Sequence, residues 1–304
     1  MRLIVNGQQA FGRAALEKIL EAGKDEVVGV YTSPDKEGRP TDPVKEAALE
    51  HGLPLFQPAI YKDKDVLDQM RALDADLMVM AYMIIFVPEA ARSIPKQGSI
   101  CFHPSLLPLH RGPSSINWPI AMGATKSGLT IFWPDDGLDE GPILMQKECD
   151  IGPDETLGDV YFKKLFPMGV DAMLESLDLV KAGTAPRIEQ DLSKGSYESW
   201  FNKASAQIDW SKPAREIYNI IRAGNPQPGG WTTHNGAELK IFDCRLGDAG
   251  GKPGEVVDLS EDGASVAAGE GAIVISRVRG AGAKVPIAEY AAETGLKAGD
   301  ILGA

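Results

Sequence analysis

The densest concentration of residues able to do chemistry is Gly98-Ser-Ile-Cys-Phe-His-Pro-Ser-Leu-Leu-Pro-Leu-His-Arg-Gly-Pro-Ser-Ser-Ile-Asn-Trp118. His103 directly follows an apolar run at 99–102 that reads as a strand, so its imidazole stands at a strand's carboxyl end, where open α/β sheets collect ligands. An imidazole there suits general acid or base work near neutral pH. Pro104 and Pro108 stiffen the loop beyond it, and Ser105, Ser114 and Asn117 add hydrogen-bonding groups. A second segment, Phe132-Trp-Pro-Asp-Asp-Gly-Leu-Asp-Glu-Gly-Pro142, places Asp135, Asp136 and Asp139 after another strand. Asp-Gly pairs ordinarily form turns. Together with the first segment they take on another meaning, because a His and an Asp at adjacent strand ends can form a base and its orienting group. Four scattered histidines, three cysteines and an aspartate loop without the calcium-loop pattern offer no metal-ligand spacing, so no metal is expected.

The elements that must position these segments alternate. Strand-like runs at 3–5, 27–31, 54–56, 77–82 and 99–102 are separated by helical spacing at 15–20, 43–51 and 65–73, the pattern of βαβ units and a parallel sheet covered on both faces. Strands at 129–133 and 143–149 follow, the latter expected to run antiparallel. Apolar residues from Leu157 to Val180 recur every three or four positions, giving an amphipathic helix kinked near Pro167 and ending at Gly183. Gly7-Gln-Gln-Ala-Phe-Gly12 lacks the spacing of a dinucleotide or phosphate loop and reads as a tight strand-to-helix turn. Residues 185–204 have linker character. Beyond them come a helix at 213–223 and short strands at 239–242, 255–259, 264–267 and 272–278, a small β-rich domain. The expected division is therefore a domain at 1–184, a linker at 185–204 and a domain at 205–304.

A length of 304 residues fits two domains. Net charge −12, from 31 Lys and Arg against 43 Asp and Glu, argues against DNA, RNA and anionic membrane as partners. The few cysteines suit a reducing cytoplasm rather than a disulfide framework. The N-terminal apolar run is too short for a signal-peptide core, and the richest stretch, 77–87, is bounded by Asp76 and Pro88.

His103-Pro-Ser-Leu-Leu-Pro108 with Arg111-Gly112, then Asp136-Gly-Leu-Asp-Glu-Gly-Pro-Ile-Leu144, resembles the signature of the formyltransferase family that uses 10-formyltetrahydrofolate. Gly7-Gln-Gln-Ala-Phe-Gly12, Ser114-Ser-Ile-Asn-Trp118, Ile131-Phe-Trp133, Gln146-Lys-Glu-Cys149 and Leu165-Phe-Pro167 are similar to the hydrolase domain of 10-formyltetrahydrofolate dehydrogenase. Ile208-Asp-Trp-Ser211 and Ile221-Arg-Ala-Gly-Asn-Pro-Gln-Pro-Gly229 resemble the C-terminal domain shared with methionyl-tRNA formyltransferase. The resemblance runs to about residue 242. It implies a Rossmann-like domain with a mostly parallel sheet, followed by a small β-rich, OB-like domain. It also implies 10-formyltetrahydrofolate as formyl donor and folate as the small-molecule partner.

In that family an Asn, a His two residues later and a downstream Asp surround the formyl carbon, which carries over to Cys101, His103 and Asp139. The Asn is absent here, and with it an oxyanion donor that is worth ~3 kcal/mol where present. Cys101 reads as a small packed residue or, alternatively, as a thiolate formyl carrier activated by His103. By resemblance the pterin lies between Tyr82–Val87 and the Asp135–Asp139 loop. Backbone groups near Ile85 and Val87, together with the peptide groups of Asp135, Asp136 and Gly137, bind it, and Met83, Ile84 and Phe86 form an apolar wall. Water is the favoured acceptor, on the missing Asn and the similarity to the hydrolase domain. A small amine is the alternative. Methionyl-tRNA is disfavoured by the near-neutral loop Ser33-Pro-Asp-Lys-Glu-Gly-Arg-Pro-Thr-Asp42, and a non-catalytic folate-binding protein is the remaining reading.

Overall fold

The computed structural model describes residues 1–83 and 85–304. The chain divides into two compact units, one made of Met1–Gly112, Gly128–Cys149 and Lys164–Tyr197, the other of Pro113–Ser127, Asp150–Lys163 and Glu198–Ala304. The stretch expected as a linker is thus split, its first part belonging with the first unit and its last residues with the second.

The first unit is built on β1 (Arg2–Gly7), α1 (Gln9–Ala22), β2 (Glu26–Tyr31), α2 (Pro43–Glu50), β3 (Leu55–Phe56), α3 (Lys64–Ala72), β4 (Leu77–Ala81), α4 (Glu89–Arg92) and β5 (Ser99–His103). After α5 (Asn117–Ala121), which falls in the second unit, β6 (Lys126–Phe132) and β7 (Ile143–Asp150) complete a sheet of order β3-β2-β1-β4-β5-β6-β7. From β3 to β5 every pairing is parallel. The order reverses between β1 and β4, the switch point beside which such sheets open a crevice. Strand alternation sorts the core onto two faces. Leu3, Val5, Leu77, Val79, Ile100 and Phe102 pack against α1 and α2, whereas Ile4, Met78 and Met80 lie on the face that holds Met70 of α3. Cys101 packs on this second face, and alternation places His103 there too.

The glycine turn after β1 is a packing device, as its spacing suggests. A Cβ on Gly7 would come 2.8 Å from the Ala81 carbonyl, and one on Gly12 would press on Val44, so the glycines let α1 approach β4 and α2.

The sheet departs from expectation at β6, which runs antiparallel to β5 with Cys101 opposite Phe132 and His103 opposite Thr130. The carboxyl end of β6 therefore lies beside the middle of β5, not beside His103. The long helix is also divided. α6 (Leu157–Val160) runs into a π-helical turn at Tyr161–Leu165 before α7 (Phe166–Lys181) resumes. The irregularity falls where Pro167 lacks an N–H and its ring would crowd the carbonyl one turn back.

In the second unit α8 (Ala214–Ala223) lays Ile217, Tyr218 and Ile221 on an antiparallel sheet. Its strands are β8 (Gly230–His234), β9 (Ala237–Gly247), β10 (Val256–Ser260), β11 (Gly263–Ala267) and β12 (Ala272–Arg279), in the order β10-β11-β12-β9-β8, with β13 (Val285–Pro286) paired to β12. The last segment is not wholly β. α9 (Ile287–Thr294) buries Ile287, Tyr290 and Ala291 and ends at Gly295 in the left-handed conformation, a spacing and a C-terminal glycine that mark a helix in sequence. No helix among the described residues is long and apolar enough to cross a membrane.

Candidate functional site

His103 closes β5 and is 6% exposed. The loop that follows is pinned from below by Thr130, wholly buried on β6. Its hydroxyl donates to the Ser105 carbonyl at 2.7 Å and accepts from the Leu107 amide at 3.1 Å and from Gln146 Nε2 at 3.0 Å. Further on, His110 has φ +53°, and its carbonyl turns back to accept a hydrogen bond from His103 Nε2 at 3.0 Å. Because a carbonyl can only accept, Nε2 carries the proton in the neutral ring and Nδ1 presents its lone pair.

That lone pair faces Asp139. The Nδ1 to Oδ2 separation is 3.7 Å, beyond a hydrogen bond and within ion-pair reach. Asp139 does not reach this position from an adjacent strand end. The loop leaving β6 travels back along β5 to deliver it, with Asp139 at φ +58° and its Oδ2 accepting the Gly112 amide at 2.9 Å. From the sequence Asp139 is expected to orient the ring; the ring's hydrogen bond is instead to the His110 carbonyl through Nε2, and Asp139 lies 3.7 Å from Nδ1. An ion pair between Arg111 and Glu140 ties the same two loops together.

Cys101 stands on the same strand face, and burial pushes its thiol well up, the Asp139 charge adding to the effect. It is a neutral thiol at physiological pH, with Sγ 3.7 Å from the Phe102 carbonyl. The thiolate reading has no support in this environment.

The residues expected to line a folate cleft are distributed as follows. Tyr82 has φ +62° and is 38% exposed, Met83 and Ile85 are partly buried against the α3-side core, and Val87 is buried in it. Phe86 is exposed, and Ile84 lies outside the described residues. Two of the loop's acidic side chains are engaged in holding the loop itself. The Asp135 carboxylate accepts the Gly137 amide at 2.9 Å, and Asp136 pairs with the buried Arg92 at 2.7 Å. Arg92 Nε also donates to the Pro134 carbonyl at 3.1 Å, so α4, which follows residues 82–88, is bonded directly to the loop at 134–136. A cavity of about 370 Å³ lined by Arg92, Ser99, Trp133 and Arg187 opens at the amino end of β5, the end opposite His103. Among the described residues no three His, Cys, Asp or Glu side chains gather as metal ligands.

Sequence reasoning missed the His110 carbonyl, the Gly112 amide and Arg92. The first two are backbone groups with no residue signature, and the third lies in a short helix that no periodicity marks.

Residues 1–175 match the family described as formyl transferase, and residues 201–294 match the formyl transferase C-terminal domain. The chain belongs to the formyl transferase family. It is 37% identical over 288 residues to a methionyl-tRNA formyltransferase of Trichlorobacter lovleyi, covering 93% of this chain and 90% of that protein. It is 40% identical over 247 residues to the cytosolic 10-formyltetrahydrofolate dehydrogenase of Xenopus laevis, covering 80% of this chain but only 27% of that longer protein. Among solved structures, HypX from Aquifex aeolicus in complex with tetrahydrofolic acid shares the fold at TM-score 0.68 and 18% identity, over 96% of this chain and 47% of that one.

Proposed function

We propose that this protein transfers the formyl group of 10-formyltetrahydrofolate to water, giving formate and tetrahydrofolate, and does so in the cytoplasm. The observation that carries the reading is the His103 imidazole, held through Nε2 by the His110 carbonyl with Nδ1 turned toward Asp139. In this reading Nδ1 takes a proton from the attacking water as the new C–O bond forms and the formyl oxygen becomes an oxyanion. Asp139 stabilises the imidazolium. Collapse of the tetrahedral species breaks the bond from carbon to N10, and the proton returns from Nδ1 to that nitrogen. Folate recognition falls to Tyr82, Met83, Ile85 and Val87 on one side and to Asp135, Asp136 and Gly137 on the other.

Water as acceptor is supported by Cys101, which offers at most a weak S–H donor where the resemblance calls for an amide. A net charge of −12 opposes an RNA acceptor. An amine acceptor is the second reading, favoured by the similarity to a methionyl-tRNA formyltransferase over nearly the whole of both chains. One experiment separates them: purified protein is incubated with 10-formyltetrahydrofolate and tetrahydrofolate release is followed by absorbance, with and without methionyl-tRNA or small amines. Release without an added acceptor is the expected result, and release only in the presence of an amine would replace water with that amine. No release under any condition would leave a folate-binding protein without turnover.

A further inference from the structure

Residues 186–190 lie along the loop that carries Asp139 and hold it at both ends. At its start, Trp133 Nε1 donates to the Pro186 carbonyl at 2.9 Å, and the Arg187 guanidinium stacks 3.8 Å from the centre of the Trp133 ring. At its end, Ile143 and Ile188 exchange backbone hydrogen bonds of 2.8 and 3.0 Å. Between these points Gln190 reaches the loop itself. Its Nε2 donates to the Asp139 carbonyl at 3.0 Å and to the Gly141 carbonyl at 2.7 Å. Two carbonyls demand the amide's donor end, which leaves Oε1 buried without a hydrogen-bond partner. A buried acceptor left in that state is unfavourable, so the two donated bonds are what keep the side chain turned this way.

Asp139 is where such holding matters. Its left-handed backbone is a conformation that persists only when the surroundings over-determine it, and relaxing it would swing the carboxylate away from His103 Nδ1 and the Gly112 amide. Downstream of Gln190, the same segment also supports the histidine. Ser196 Oγ accepts the His110 amide at 2.9 Å, and the Ser196 carbonyl accepts the Arg111 amide at 3.1 Å.

We propose that Gln190 is a positioning residue for formyl transfer, fixing the Asp139 carboxylate opposite His103 by clamping the carbonyls on either side of Glu140. The proposal rests on the formyl-transfer reading for its kinetic consequence and on geometry alone for its structural one. Gln190→Glu is the discriminating variant, since it keeps the size of the side chain and removes the donor. In the full chain, Gln190→Glu and Gln190→Ala should each lower kcat for tetrahydrofolate release about 10- to 100-fold while the donor KM stays within about threefold, the pattern of a misplaced reacting group. Amide exchange at Gly137 and Gly141 should rise in both variants with melting temperature little changed, and the exposed neighbour Glu189→Gln should behave as wild type. A kcat for Gln190→Glu within about twofold of wild type overturns the proposal. So does a loss of kcat that only tracks a loss of melting temperature. If the wild-type chain shows no turnover with any acceptor, the formyl-transfer reading fails, and unchanged exchange at 137–141 in Gln190→Glu is then the result that overturns the clamp.

Discussion

His103 and His110, seven positions apart, are joined by a hydrogen bond of 3.0 Å from the imidazole Nε2 of the first to the main-chain carbonyl of the second. That bond selects the tautomer. It leaves the Nδ1 lone pair unprotonated in the neutral ring and sets that atom 3.7 Å from the Asp139 carboxylate, with the imidazole buried and the carboxylate partly so.

Replacing either partner should remove the acid-base contribution. His103→Ala and Asp139→Asn are each expected to lower kcat for tetrahydrofolate release by about 10²- to 10⁴-fold, with binding of 10-formyltetrahydrofolate retained. Stopped-flow rates with a parallel binding titration check this, and near-normal turnover in either variant would take that residue out of the mechanism.

Cys101 should be dispensable as a nucleophile. Burial and the Asp139 charge both disfavour its thiolate, so Cys101→Ala is expected to keep kcat within about threefold of wild type. A loss approaching that of His103→Ala, together with a formyl-protein adduct in mass spectra of the wild type, would restore the covalent reading.

Packing on the α1 side of β5 depends on a missing side chain. Phe11 and Phe102 stack with ring centres 4.2 Å apart, and a Cβ on Gly169 of α7 would lie 2.6 Å from Phe102 and 2.9 Å from Phe11. Gly169→Val should destabilise the protein by about 1–3 kcal/mol through overpacking, which urea denaturation would detect. Unchanged stability would mean that the two rings yield easily.

Asp159 supplies a pH-dependent increment in the second unit. Its carboxylate pairs with Lys163 at 2.6 Å and closes a capping box with Thr156 at the start of α6, and these partners, Lys163 foremost, bring it from 3.8 down to about 2. A lowered folded-state value means that the stabilisation is present above the unfolded value and is lost as pH falls toward the folded one, a window from about 4 down to about 2. Lys163 is 72% exposed, so solvent screening keeps the contribution to about 1 kcal/mol or less. The stability difference between wild type and Asp159→Asn should shrink across that window, and a difference independent of pH would assign the effect to shape instead of charge.

Much of this was legible in one dimension. Alternating strands and helices through residue 103 announce a parallel sheet because βαβ units leave both strand faces buried, and His103 and Asp139 stand out because turn residues and a strand end isolate them. β8 and α9 go unread in the sequence, the first because its inward positions alternate through Trp, Thr and His, the second because its eight residues fall in a C-terminal stretch that reads only as β-rich. The antiparallel run of β6 was hidden for a different reason: strand direction is chosen by which neighbour a strand finds, and local spacing carries no trace of it.

The sequence by itself determined which side chains could exchange a proton and which kind of sheet would carry them. Only the tertiary structure decided which imidazole nitrogen faces Asp139 and that residues 186–196 are hydrogen-bonded to the loops carrying His110 and Asp139. Those outcomes rest on main-chain carbonyls and amides brought together from distant positions, groups that every residue but proline carries alike and that therefore leave no mark in the order of the amino acids.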